Sequence, residues 1–204
     1  IIQKTINMSK NIFLKTVLFS FILFLASCDD KDEPVTINEE ESLSLVTLTV
    51  TNEANNSSET YRFEVESHDH GDETNTGSQD SHDVHEEIEL EPNSSYLFEI
   101  RFYNDEDPTN IEDITLEVIE EKDEHHVFYE LTDGAEITIT SGPGDTMDSN
   151  SNPLNLITRW TTTAAGVADV EVYLIHEPTS KTGGTRDDFG GATDVEIEFE
   201  AHVE

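Results

Sequence analysis

The sequence predicts an all-β protein, an antiparallel β-sandwich of immunoglobulin-like type, and three observations predict it. From Leu43 onward apolar and polar residues alternate in short runs, the period-2 signature of half-buried strands. Asn, Asp, Gly, Pro and Ser bound these runs, and those residues favour tight turns. The helical crossovers that parallel pairing would need are not offered by the pattern. Regularly spaced short strands of this kind pack as two sheets over one core. A chain of 204 residues with 34% hydrophobic side chains can fill a core of that size.

The elements follow in order. Residues 1–7 read as an upstream extension, with Met8 as the start. Lys10 and Lys15 precede the greasy run Val17-Leu-Phe-Ser-Phe-Ile-Leu-Phe-Leu25, which matches a signal-peptide core and is too short to span a bilayer. It ends in Leu25-Ala26-Ser27-Cys28. This resembles a bacterial lipobox, in which small residues precede a cysteine that takes a diacylglyceryl group. Residues 8–27 are then a lipoprotein signal peptide, and Cys28 is the lipidated first residue of the mature chain. Residues 28–42 form an acidic, core-poor tether. They open Asp29-Asp30-Lys31-Asp32-Glu33, which looks like the surface-export signal of Bacteroidota lipoproteins. The expected location is the outer membrane, exposed on the cell surface, with acyl chains as the anchor.

Residues 43–204 make the sandwich domain. Strands are expected at 43–51, 60–66, 84–90, 96–103, 113–119, 126–131, 136–140, 154–161, 168–176 and 194–203. No helix is expected. The clearest strands are Tyr61-Arg-Phe63-Glu-Val65 and Val195-Glu-Ile197-Glu-Phe199-Glu-Ala201, where one face is apolar and the other charged. Residues 67–83 hold almost nothing apolar and read as a long exposed loop.

Charge and motifs exclude several functions. Ten Lys plus Arg against 46 Asp plus Glu give a net charge of −36, which repels the phosphates of nucleic acid. One cysteine rules out a disulfide framework and any Cys-rich metal site. No Gly-x-Ser-x-Gly, His-Glu-x-x-His, P-loop or Gly-x-Gly-x-x-Gly pattern occurs, so no enzyme activity is expected.

The histidines carry the strongest chemical signal. His68 and His70 are two apart and project to one side of an extended segment, and His82 and His85 stand at the other lip of the same loop. Imidazole is the commonest ligand for zinc and copper, and nearby Asp and Glu can complete or orient such a site. His125 and His126 are adjacent, so a strand sends them to opposite faces. His125 is carried as a fifth candidate ligand, with a structural role as easy to defend. His176 and His202, at strand ends, read as structural. Calcium is the competing ion: Asp145, Asp148, Asn150 and Asn152 supply oxygens but lack the EF-hand glycine and distal glutamate. Turn chemistry explains the same residues.

Several stretches resemble an uncharacterised family of short Bacteroidota envelope lipoproteins. They are Glu112-Asp-Ile114-Thr, Glu120-Glu-Lys-Asp-Glu124-His125-His-Val-Phe128-Tyr129, Leu174-Ile-His176-Glu-Pro178 with Lys181, and Gly191-Ala-Thr-Asp194-Val-Glu-Ile-Glu-Phe199. The label that family carries, type 1 periplasmic binding fold superfamily protein, implies an α/β fold of nearly twice this length. The strand pattern opposes it. The resemblance implies an envelope location, the positions Glu124, His125, Phe128, Tyr129, His176 and Pro178, and partnership with a TonB-dependent outer-membrane receptor. The expected function is therefore a lipid-anchored binding protein that captures zinc or copper for such a receptor. The alternative is a structural or adhesin-like surface module for protein or glycan contact, stabilised by calcium.

Overall fold

The computed structural model describes residues 42–65, 86–132 and 134–204, so Cys28 and the loop histidines His68, His70, His82 and His85 lie outside the described residues. The described chain holds β1 (Leu45–Asn52), β2 (Ser58–Glu64), β3 (Glu86–Leu90), β4 (Ser95–Asn104), β5 (Glu112–Asp113) and helix α1 (Thr115–Glu120). There follow β6 (His125–Thr132), β7 (Ile137–Ser141), β8 (Ile157–Thr162), β9 (Gly166–His176) and β10 (Ala192–Val203). Two sheets result. The larger runs β2-β1-β4-β8-β7 with β5 also on β4, and the smaller runs β3-β10-β9-β6. The expected all-β sandwich is what forms. Every pair is antiparallel but one: β3, on the edge of the smaller sheet, runs parallel to β10. These two strands stand far apart in sequence, and a long connection is what parallel pairing requires.

Alternation decides which residues face inward. In β10 Val195, Ile197, Phe199, Ala201 and Val203 are buried, while Glu196 and Glu198 stay in solvent. The inward faces of both sheets meet in one core. Its centre is the single tryptophan, Trp160 of β8, which is fully buried. Trp160 stacks on Phe98 of β4 at 4.0 Å, meets Tyr129 of β6 edge-on at 5.7 Å, and lies 6.2 Å from Phe199 of β10. Its indole N–H donates to Thr158 Oγ1 at 2.9 Å, so the ring is buried without a stranded donor. These rings join the two sheets.

The smaller sheet is covered on its outer face as well. Tyr173 and Ile175 of β9 form a second cluster with Phe189, and Phe128 of β6 packs against it. Phe189 belongs to the connection from β9 to β10, which therefore lies over this face. A buried lysine pins that connection. Lys181 Nζ donates to the Lys122 carbonyl at 2.6 Å and stands 3.4 Å from Asp148 Oδ2.

Two expectations need correction. The strand expected at 113–119 is a two-residue β5 followed by α1. Ile114 and Val118 are buried and four apart, which is one helix face, whereas Leu116 and Ile119 are exposed. Thr115 Oγ1 both accepts from the Phe102 N–H and donates to the Phe102 carbonyl, taking the bonds a continued ladder would use. The short run fits both periods, and the buried i, i+4 pair decides. The strand expected from 154 begins at Ile157 instead. Asn155 takes a left-handed φ of 63°, and the Leu154 carbonyl accepts from Val127 of the other sheet. Leu154 and Leu156 still enter the core.

Two outcomes follow from this packing. Phe98→Ala is expected to lower the unfolding free energy by about 3–5 kcal/mol, read by denaturant melts on Trp160 fluorescence. His126 is buried against Phe189 at 5.1 Å, and its Nδ1 has no hydrogen-bond partner among the described residues. Burial, with Lys181 nearby, lowers its pKa to about 4. In the unfolded chain the ring titrates near 6.5, so its stabilising contribution is whole above pH 6.5 and is lost as pH falls to 4. Relief of acid–acid repulsion runs the other way over that range, so the observable is a difference. Relative to wild type, His126→Phe gains stability as pH falls from 6.5 to 4, in urea melts across that window. A parallel stability loss in the two proteins would show that His126 is not held neutral.

Candidate metal centre

The strand pairing brings three chemically distinctive residues together at one end of the smaller sheet. His125 opens β6 and lies opposite His176, the last residue of β9. His176 in turn lies opposite Ala192, the first residue of β10. Alternation puts His125 on the side of Val127 and His176 on the side of Leu174, both core residues, so the two imidazoles occupy the last inward-facing positions. The expectation that His125 and His126 diverge holds: His126 goes to the outer cluster and His125 inward.

Asp194 reaches the same place through an irregularity. The β10–β9 register shifts between Thr193 and Val195, so Asp194 is the extra residue of a β-bulge. A bulge bends its strand and re-aims a side chain. Gly191 permits the close start of β10: its φ is +68°, and a Cβ there would stand 2.2 Å from the His176 carbonyl oxygen.

The three side chains are packed closely. The imidazoles of His125 and His176 stack 4.7 Å apart, 12° from parallel. His125 Nε2 is 3.7 Å from Asp194 Oδ2, and His176 Nδ1 is 3.8 Å from Asp194 Oδ1. One ligand atom from each residue lies within 4.8 Å of the others. Around a tetrahedral zinc with bonds of 2.0–2.1 Å, ligand atoms stand roughly 3.3 Å apart, so the three side chains would draw together to hold one. The side chain of His125 is 1% exposed, that of His176 13% and that of Asp194 19%, so the group is sheltered and open on one side.

Hydrogen bonding sets the chemistry of His125. Its Nδ1 is 3.3 Å from the Glu121 carbonyl, an oxygen that can only accept, so Nδ1 carries the proton. Burial, opposed by this bond and aided by His176 and Lys181, lowers the ring's pKa to about 4. At neutral pH His125 is therefore an uncharged imidazole whose Nε2 lone pair faces Asp194. A ligating histidine whose other nitrogen donates to a carbonyl is the usual arrangement in metal sites. Two imidazoles and one carboxylate suit zinc with an open fourth position, and equally copper or iron(II).

Two further groupings occur among the described residues. The exposed carboxylates of Glu124 and Glu177 converge with the same His176 imidazole. Glu87, Glu200 and His202 converge on the smaller sheet, where His202 Nε2 bonds Glu200 Oε2 at 2.7 Å and its pKa is raised by that bond. The calcium candidates are engaged in turn chemistry. Asp145 accepts hydrogen bonds from Ser141 Oγ and from the backbone of Asn155 and Ile157. Asp148 accepts from the backbone N–H groups of Asn150 and Asn152 and from the Asn152 amide. Burial alone would raise the Asp148 pKa, but those donors and Lys181 bring it down to about 2. An ammonium thus already stands beside that carboxylate.

No protein-family model, curated protein or solved structure matches this chain. Of the candidate metal ligands expected from the sequence, His125 belongs to the centre, and the four loop histidines lie outside the described residues. His176, set aside as a strand-end residue, and Asp194, one acid among 46, complete it. Fifty residues separate His125 from His176, and no local spacing reports a pairing of that range.

Proposed function

We propose that this chain is a lipid-anchored envelope protein that captures a divalent transition metal, zinc or copper, at His125, His176 and Asp194 for an outer-membrane receptor. One observation supports the metal reading above all: a buried, neutral imidazole, a second imidazole and a carboxylate converge at the open end of a rigid sheet. Strands fix ligand positions better than loops do, and pre-set ligands lose little entropy when the ion arrives. The acidic surface raises the local concentration of cations, and the imidazoles select a transition metal over calcium or magnesium. The anchor reading rests on the Leu25-Ala26-Ser27-Cys28 box and the acids behind it. The receptor is the partner that the family resemblance implies.

The contact-module alternative also has an observation in its favour. At the opposite end of the sandwich a cleft of about 350 Å³ is lined by Tyr61, Tyr96, Asn52, Asn55, Glu59 and Glu91, among others. Tyr96 is buried beneath it, and half-buried Tyr61 beside hydrogen-bonding side chains suits a sugar ring.

Calorimetric titration of zinc into the full chain in detergent, against a weak chelator, separates these readings. The expected result is a stoichiometric site that His176→Ala and Asp194→Asn each weaken by roughly 100-fold or more, with unchanged thermal unfolding of the metal-free protein. Replacing His68, His70, His82 and His85 by Ala together leaves this site intact and removes any second one on the loop. Weak, many-site heats that no variant alters would reduce the three residues to a structural polar cluster and leave the contact module as the better account.

A further inference from the structure

His176 belongs to two donor sets at once. The inner set is His125, His176 and Asp194; the outer is Glu124, His176 and Glu177, whose ligand atoms likewise lie within 4.8 Å of one another. The sets differ in exposure. His125 is buried and Asp194 half-buried, whereas Glu124 and Glu177 are both exposed. The two sets thus share one imidazole, with exposed carboxylates on the outer set and sheltered ligands on the inner.

The outer set is held in place by the backbone. The Glu177 N–H donates to the Glu124 carbonyl at 2.6 Å, which ties the turn after α1 to the end of β9. Glu177 also takes a φ of 47°, left-handed for a residue that is not glycine and that precedes a proline. Glu124 sits next to His125 in the chain, and Glu177 next to His176. Both carboxylates also converge with the His176 imidazole.

We propose, building on the metal reading above, that Glu124 and Glu177 form a loading station: they take the divalent transition metal from water and pass it across His176 to His125 and Asp194. The transfer is a ligand exchange. The ion arrives on the two carboxylates and His176, shedding waters; His125 Nε2 and Asp194 then form bonds as those to Glu177 and Glu124 break. The exchange requires one ring nitrogen of His176 to serve both sets, so that this bond is kept and the ion never returns to bulk water. Two carboxylates leave and one imidazole and one carboxylate arrive, so the number of protein ligands is kept and no proton or electron moves; the ligand set loses one negative charge, which stays on the released glutamates beside it. The direction follows from ligand chemistry, since exposed carboxylates hold zinc or copper less selectively than imidazoles sheltered from water.

The test is kinetic. Zinc association and dissociation are measured by stopped flow with a chromophoric chelator on the full chain in detergent, for wild type and for Glu124→Gln with Glu177→Gln. A loading station lowers the barrier without changing the final ligands. The double variant should therefore slow association and dissociation together, by about tenfold, at unchanged affinity, while Asp194→Asn weakens affinity. Unaltered rates in the double variant overturn the loading station and leave the inner site standing. Slower association with unchanged dissociation, erased by high salt, also overturns it, because the two glutamates then act only as a screened attractive field. If wild type binds no zinc stoichiometrically, the metal reading itself fails, and that result is separate from either kinetic outcome.

Discussion

The contact of Trp160 with rings from both sheets is the interaction on which the rest of this structure depends. With 46 acids against ten cationic side chains, the folded chain repels itself, and burial of apolar surface is the term that must overcome this. The core answers where four strands, two from each sheet, bring rings together. Phe98 stacks beneath the indole from its own sheet, and Tyr129 and Phe199 reach it from the other. Period-2 alternation then sends the carboxylates outward, as Glu196 and Glu198 show between Val195, Ile197 and Phe199. Acids that do come close to the protein are met by donors. Asp145 and Asp148 are surrounded by N–H groups, and Glu53 takes a bidentate bond from Arg159.

The same alternation that fills the core also places the two imidazoles. His125 and His176 continue the inward rows of Val127 and Leu174 by one more step, to where the sheet runs out and water begins. An apolar residue there would extend the core. Imidazoles instead produce a sheltered polar end whose geometry is inherited from the strand register. Asp194 departs from this inheritance. An unbroken ladder would carry no extra residue there, and the bulge between Thr193 and Val195 supplies one without shifting the apolar row from Val195 onward.

Much of the fold was legible because alternation is a local property. The sandwich, nearly all its strands and the divergence of His125 from His126 follow from side-chain period alone. Helix α1 was not legible, because Ile114, Leu116, Val118 and Ile119 satisfy a strand and a helix equally over so short a span; the burial of Ile114 and Val118 against the exposure of Leu116 decides, and the bonds of Thr115 to the Phe102 backbone end the ladder. The parallel β3–β10 pair was hidden for a different reason, since edge strands choose partners by tertiary packing. The centre was only partly visible. His125 stands out as half of a pair, but His176 gains significance only from its register with His125, and Asp194 only from a bulge. The stretches quoted for the family resemblance contain all three, yet nothing in their spacing says that they meet.

A site built on strand ends has an energetic consequence that a site on a loop lacks. His125, His176 and Asp194 come from β6, β9 and β10, and these three strands form most of the smaller sheet. An ion bound there would join their ends, and because the unfolded chain holds no such arrangement, its binding free energy would appear as folding stability. The covering connection after β9 feels the same tie, since it starts at Glu177 beside His176 and returns through Gly191 to Asp194. Its far side is already fixed by Phe189 and by buried Lys181. The connection is thus clamped at its middle by packing and at its two ends by the residues that would hold the ion. An ion held at this end would therefore tighten the fold where the core stops, instead of ordering a segment that has no core of its own.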